Sequence, residues 1–304
     1  MGYFDIQVNG YGGVDYNQDD LSVEELRSSC VKLAEDGVEG ILATIITESL
    51  DRMVHRIGKI VRLREQDPLI KKMIAGLHME GPFLSPLDGY RGAHPLDAIL
   101  SADMTSAGKL LDAGGGLIRL LTLAPEHDPG AKVAHFLTLN GVRVAAGHTN
   151  ASLDQLKESI DSGLCMATHL GNACPQLLPR HDNIIQRILF LRKYLWLSFI
   201  ADGVHIPFEM LRNYIDLAGI GERALVTTDA MSAAGLGVGR YKLGRWDVQV
   251  GEDLAVRSAD GSHLVGSAVS MKRIDRNLSS FLKLSAEEIH TLTWVNPRKS
   301  IGII

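Results

Sequence analysis

Cysteine is scarce in this 304-residue chain: Cys30, Cys165 and Cys174 make an odd number with no C-x-x-C spacing. That pattern argues against a disulfide framework or a cysteine-built zinc cage and points to a reducing compartment. Positive charge is not in excess. With 31 Lys+Arg against 36 Asp+Glu the net charge is −5, without the basic footprint of a nucleic-acid binder. No apolar run approaches the ~18 residues that span a bilayer, and no basic leader with a small-residue cleavage site precedes "YFDIQVNG". A cytoplasmic protein with neither a nucleic-acid nor a membrane partner is expected. No G-x-G-x-x-G follows the first strand, "GLGVGR" (235–240) lacks the spacing, and neither a P-loop nor G-x-S-x-G occurs.

What is present is the material of a large core, with 45% hydrophobic and 22% charged residues. Eight strand-like runs can be counted: 3–10, 40–47, 74–81, 117–126, 142–149, 164–171, 195–203 and 224–231. Most segments between them read as amphipathic helices. "SVEELRSSCVKLAEDG" carries a capping box at Ser22 and Glu25, and "SAEEIHTLTWVNP" repeats it at Ser285 and Glu288, with Pro297 as its stop. "LDAILSADMTSAGKLLDAGG" reads as a further helix. Strands alternating with helices imply βα units and parallel pairing, and eight of them suggest a closed (β/α)8 barrel over an open doubly wound sheet. The chain is expected to be one catalytic barrel over residues 1–304, with an elaborated hairpin loop at about 238–267.

In such barrels chemistry sits at the C-terminal ends of the strands, and there the polar residues collect. The first strand ends with Gln7 and Asn9, the third with His78 and Glu80, the fifth with His148, the sixth with His169 and Asn172. The seventh ends with Asp202 and His205 and the eighth with Asp229. Four of the eleven histidines fall at these ends, and His94 follows in the loop after the third strand. Two imidazoles and one carboxylate suit a catalytic Zn²⁺ or Fe²⁺ site, which Glu80, His148 and His169 can supply. Such an ion activates a water and polarises a carbonyl, and Asp229 can move the proton. With the reference pKa of about 3.9, Asp229 is expected to be an ionised base at neutral pH. Glu126 closes the fourth strand with no visible partner and reads as a surface residue. Gly114–Gly116 read as a plain loop, and no His/Asp arrangement marks Cys174 as a nucleophile.

The motifs "DIQVNGYGGVD", "GLHMEGPFLSP", "YRGAHP", "GHTNAS", "THLGNACP", "ADGVHI" and "VTTDAMSAAGLGVGRYKLG", in that order, resemble N-acetylglucosamine-6-phosphate deacetylases of the amidohydrolase superfamily. The resemblance runs from about residue 3 to "NPRKSIGI". It implies a (β/α)8 barrel and hydrolysis of the acetamide of N-acetyl-D-glucosamine 6-phosphate to acetate and D-glucosamine 6-phosphate. It also implies one divalent metal ion held by Glu80, His148 and His169, with Asp229 as acid/base and His94 polarising the acetamide carbonyl. Ala93, Asn172, Ala173 and the segment Leu264, Val265, Gly266 are implied sugar contacts. Arg180 and His205, with Asp202 beside it, are implied phosphate contacts, part of that site coming from the neighbouring subunit of a homodimer. Gly171 and Cys174 stand where the family commonly carries an aromatic or bulky residue and a methionine.

Two features of the resemblance concern the chain's start. Gln7 and Asn9 occupy positions where many amidohydrolases hold a second metal with a His-x-His pair; amides are poorer ligands, so one equivalent is expected. The small β domain that the family builds from both chain ends is expected to be missing. A deacetylase of another N-acetyl-hexosamine phosphate, the galacto epimer, and a non-catalytic barrel are the competing readings.

Overall fold

Every one of the eight apolar runs becomes a strand: β1 (Tyr3–Val8), β2 (Val38–Ile46), β3 (Ile74–Glu80), β4 (Ile118–Leu123), β5 (Arg143–Ala146), β6 (Leu164–Ala167), β7 (Trp196–Ile200) and β8 (Ala224–Thr227). The structure is a computed structural model and describes residues 2–258, 261 and 264–303. The strands pair in parallel in chain order. Helices cover them, among them α1 (Val23–Glu35), α2 (Leu50–Gln66), α3 (Pro68–Met73) and α4 (Met104–Gly114). Next come α5 (Lys132–Leu139), α6 (Leu153–Asp161), α7 (Ile184–Phe190) and α8 (Phe208–Ala218). This is the α/β (β/α)8 barrel. The Ser22/Glu25 capping box that opens α1 is formed. Outward residues such as Ile41, Ile45, Leu77, Met79 and Leu121 join Leu26, Ile57, Ile60 and Leu110 of the helices in one core.

Inside, the barrel is layered. Phe4, Ile6, Leu42, Leu120, Ala145, Met166 and Leu225 form an apolar floor, closed by Trp294 and Ile301 from the C-terminal helices. One pleat higher lie buried Thr44, His78, Thr122, Thr168 and Thr227, and the titratable groups crown the strand ends.

Strict alternation in β1 does not hold. Asp5 pairs with Ile41 and Val8 with Ala43, so three residues of β1 stand against two of β2. This bulge puts Ile6 in the floor and Val8 in the outer core, on different faces, because one extra residue reverses the side-chain direction. It also changes how the barrel closes. β1 meets the segment that follows β8 through an isolated bridge, Val8 to Ala230. The Asp5 carboxylate adds side-chain bonds across the seam, accepting both hydroxyls of Thr227 and Thr228 at 2.5 Å and the Thr228 N–H at 3.3 Å.

Two expectations about helices are corrected, while the hairpins expected at about 238–267 are there. Of residues 96–115, only a short turn at Leu96–Ala98 and α4 are helical, since Asp103 caps α4 by accepting the Ser106 N–H. Pro297 does not stop the C-terminal helix. α9 (Met271–Ser280) is followed by α10 (Ala286–His290), which runs through a π-turn at Thr291–Val295 into α11 (Asn296–Ser300). Pro297 lies in the first turn of α11, where its missing N–H costs no bond. The hairpin region is a four-stranded antiparallel sheet: β9 (Gly239–Leu243), β10 (Trp246–Val250), β11 (Ala255–Ser258) and β12 (Leu264–Ser267). It has its own core of Leu243, Val248, Val250, Val256 and Val265 against Met231.

Candidate active site

Three of the polar strand ends share a backbone device. His148, His169 and Asp229 each lie two residues beyond the last residue of their strand, at φ of 51°, 30° and 52°. Left-handed backbone costs a non-glycine residue about 1–3 kcal/mol. Of seven such residues among those described, four surround the same cleft, Ala173 being the other. The strain is held by neighbours: the Ser198 hydroxyl accepts the His169 N–H at 2.8 Å, and the His148 carbonyl accepts the Ser85 N–H at 2.9 Å.

The side chains converge on Glu80, the last residue of β3. Its Oε1 lies 2.9 Å from His169 Nε2 and 3.3 Å from His148 Nε2, and it accepts the Gln7 amide at 2.9 Å. His148 Nδ1 faces the Tyr90 carbonyl at 3.0 Å. That contact holds the proton on Nδ1 and leaves Nε2 as a lone-pair donor, the usual arrangement of a histidine ligand. Donor atoms of a tetrahedral site with ~2.1 Å bonds stand about 3.4 Å apart, close to what these three residues offer. One carboxylate and two imidazoles fit a single divalent ion.

Around this centre the charges are strongly perturbed. Burial pushes the Glu80 carboxyl up, yet His148 and His169 outweigh it and hold it well below the usual range. His94 is buried with its Nε2 3.2 Å from His148 Nε2. Burial and that neighbour push it down to about 3, so His94 is a neutral imidazole. Asp229 departs from the expectation of an ordinary ionised base: burial, and then the Glu80 charge, raise it to about 7. Asn9 donates to Asp229 Oδ1 at 2.7 Å. The two amides of β1 thus each serve a carboxylate, Gln7 serving Glu80 and Asn9 serving Asp229.

The site opens into a cleft of about 750 Å³, a volume suited to a small ligand. Its walls include Ala93, Asn172, Ala173, His205, Leu264, Val265 and Gly266. Asp202 lies behind the wall and accepts the Val204 and His205 N–H groups at 2.9 Å, with Oδ2 at 2.6 Å from His205 Nδ1. It therefore orients His205. Arg180 is exposed and is not among the residues lining the cleft. Gly171 has a physical reason to be glycine: its φ is 97°, and a Cβ would sit 3.2 Å from Ile206.

Several participants escape sequence reasoning. Arg257 lines the cleft, paired with Asp253 at 2.6 Å; nothing in its sequence surroundings places the antiparallel sheet over the barrel mouth. Glu126 is no idle surface group, since it accepts the Thr149 hydroxyl and, at 2.7 Å, the Asn150 N–H, pinning the loop that follows His148.

No family model matches the chain. An N-acetylglucosamine-6-phosphate deacetylase from Bacillus subtilis (strain 168) is 31% identical over 304 residues, covering 99% of this chain and 75% of the relative. An N-acetylgalactosamine-6-phosphate deacetylase from Escherichia coli O157:H7 is 30% identical, covering 99% and 77%. A solved structure of a mutant N-acetyl-D-glucosamine-6-phosphate deacetylase from Mycobacterium smegmatis, in complex with N-acetyl-D-glucosamine-6-phosphate, superimposes with a TM-score of 0.90 at 28% identity, over 99% of this chain and 77% of that one.

Proposed function

The chain belongs to the N-acetylglucosamine-6-phosphate deacetylase family, and from that premise we propose that it hydrolyses N-acetyl-D-glucosamine 6-phosphate to D-glucosamine 6-phosphate and acetate. The observation that carries this reading is the meeting of Glu80, His148 and His169 with Asp229 and His94 at one end of an open cleft. One divalent ion per chain, zinc or iron, held by Glu80, His148 and His169, supplies activation of a water and polarisation of the acetyl carbonyl. His94, kept neutral, donates to the carbonyl oxygen as it gains negative charge. Asp229 takes a proton from the attacking water and delivers it to the sugar nitrogen as the C–N bond breaks. A carboxyl raised to about 7 can serve in both directions near neutral pH.

Ala93, Asn172, Ala173 and Leu264–Gly266 contact the sugar, and His205, oriented by Asp202, meets the phosphate, with the Arg257 charge in the same wall. Arg180, outside its own chain's cleft, is assigned to the phosphate of a neighbouring subunit in a homodimer. No helix among the described residues is long and apolar enough to cross a membrane, and a sugar phosphate as substrate supports a cytoplasmic setting.

The test is acetate release from N-acetyl-D-glucosamine 6-phosphate by metal-loaded protein. Turnover with metal bound is expected, and its absence from folded, loaded protein refutes the reading. The galacto epimer belongs in the same assay, because its curated relative is nearly as close, at 30% against 31% identity. Faster turnover of that epimer reassigns the substrate. Asp229→Asn is expected to lower kcat by about 10²–10⁴-fold with metal content unchanged.

A further inference from the structure

We propose that Ser267, at the end of β12, is a positioning residue that holds Asp229 in its reactive geometry, working opposite Asp5 of β1. The proposal rests on the reading of Asp229 as the acid/base.

Asp229 sits in left-handed backbone at φ 52°, a conformation that persists in a non-glycine residue only where the surroundings over-determine it. The surroundings are two clamps. From the antiparallel sheet, Ser267 N–H donates to the Asp229 carbonyl at 2.9 Å, the Ser267 carbonyl accepts the Met231 N–H at 2.9 Å, and its hydroxyl donates to the Thr228 carbonyl at 2.6 Å. One residue of β12 thereby brackets 228–231. From the barrel seam, Asp5 accepts the Thr228 N–H and hydroxyl, while Asn9 N–H donates to the Ala230 carbonyl at 2.7 Å. The approach of the two segments is close, for a Cβ on Gly266 would stand 3.2 Å from the Asp229 carbonyl oxygen.

Neither Ser267 nor Asp5 lines the cleft, and both are buried, so neither touches substrate. The residues just before Ser267 do line it: Leu264, Val265 and Gly266. A single strand therefore carries a wall of the cleft and the peg that fixes the acid/base, and a substrate seated against 264–266 presses on the segment that aims Asp229.

Ser267→Ala removes the hydroxyl's bond to the Thr228 carbonyl and the long contact it accepts from the Val269 N–H at 3.4 Å, and leaves both backbone bonds, so the sheet stays docked. Steady-state kinetics on N-acetyl-D-glucosamine 6-phosphate should then show kcat lowered on the order of 10–100-fold with KM changed less than about threefold, as misalignment of a reacting group does. Metal content should equal that of the parent, and Ser267→Thr, which keeps the hydroxyl, should restore kcat to within about threefold of the parent value. Parent-level kcat in Ser267→Ala, or equal losses in Ser267→Ala and Ser267→Thr, overturns the clamp. Asp229→Asn is the control that separates the two claims. If it is inactive while Ser267→Ala is unimpaired, the clamp alone fails; if it turns over like the parent, the reading of Asp229 fails and the clamp with it.

Discussion

The floor and the mouth of this barrel are built from the same eight strands, two or three pleats apart, and obey opposite rules. The floor is apolar side chains alone: Phe4, Ile6, Leu42, Leu120, Ala145, Met166 and Leu225 under a plug of Trp294 and Ile301. Each buried side chain there contributes roughly 1.5–3 kcal/mol by leaving water, and apart from the Trp294 indole N–H no side-chain group asks for a partner. The mouth buries Glu80, His94, His148, His169 and Asp229 instead, bends three of them into left-handed backbone, and perturbs their ionisation in both directions. Stability is generated below and consumed above, an arrangement that lets an open cleft keep costly groups in fixed positions.

The comparison can be broken most sharply at Glu80. Glu80→Gln should lose the bound ion, measured by metal analysis, and at least about a thousandfold in activity, the several kcal/mol such an ion supplies. Parent-level metal content would remove Glu80 from the ligand set. At the floor, Leu120→Ala should cost ~2–5 kcal/mol in denaturant unfolding while the folded enzyme keeps its kcat. A matching loss of kcat would mean that floor and mouth are not separable.

A third test uses pH. Asp15, buried and accepting the Gly244 N–H from the β9–β10 turn, is raised by burial from 3.8 to about 6. The folded state then binds that proton more tightly than the unfolded state does. Its stabilising contribution is full below about pH 4 and is lost as pH rises through about 6. Relative to the parent, Asp15→Asn should therefore gain up to ~3 kcal/mol between pH 4 and pH 7, whereas the Leu120→Ala difference should stay flat. A flat Asp15→Asn difference across this range would contradict the burial argument. Smallest is the effect expected at the cleft wall: His205→Ala should raise KM for the phosphorylated sugar roughly tenfold and leave the unphosphorylated sugar untouched. Equal losses on both sugars would take His205 off the phosphate.

Much of this was legible in the order of residues. The strands read correctly because β-branched and apolar runs alternate with capped helices, and both signals are local. Glu80, His148, His169 and Asp229 stood out because parallel barrels present their strand ends on one side. What stayed hidden is long-range. The partner of Glu126 comes from the loop after the next strand, Arg257 reaches the cleft only because the antiparallel sheet folds over the mouth, and Pro297 is admitted by a π-turn that no composition signals. The bulge in β1 was invisible because alternation of "FDIQVNG" looks regular until its pairing with β2 is known.

By itself the sequence determined the repeating βα architecture and the kinds of groups that crown it, since period, capping and residue type act over a few neighbouring positions. Only the tertiary structure decided the roles of the β1 polar residues. Asp5 bonds across the seam, Gln7 serves Glu80 and Asn9 serves Asp229. Those assignments depend on contacts between residues 73 to 223 positions apart, and a hydrogen bond exists only where folding has brought its two ends within about 3 Å.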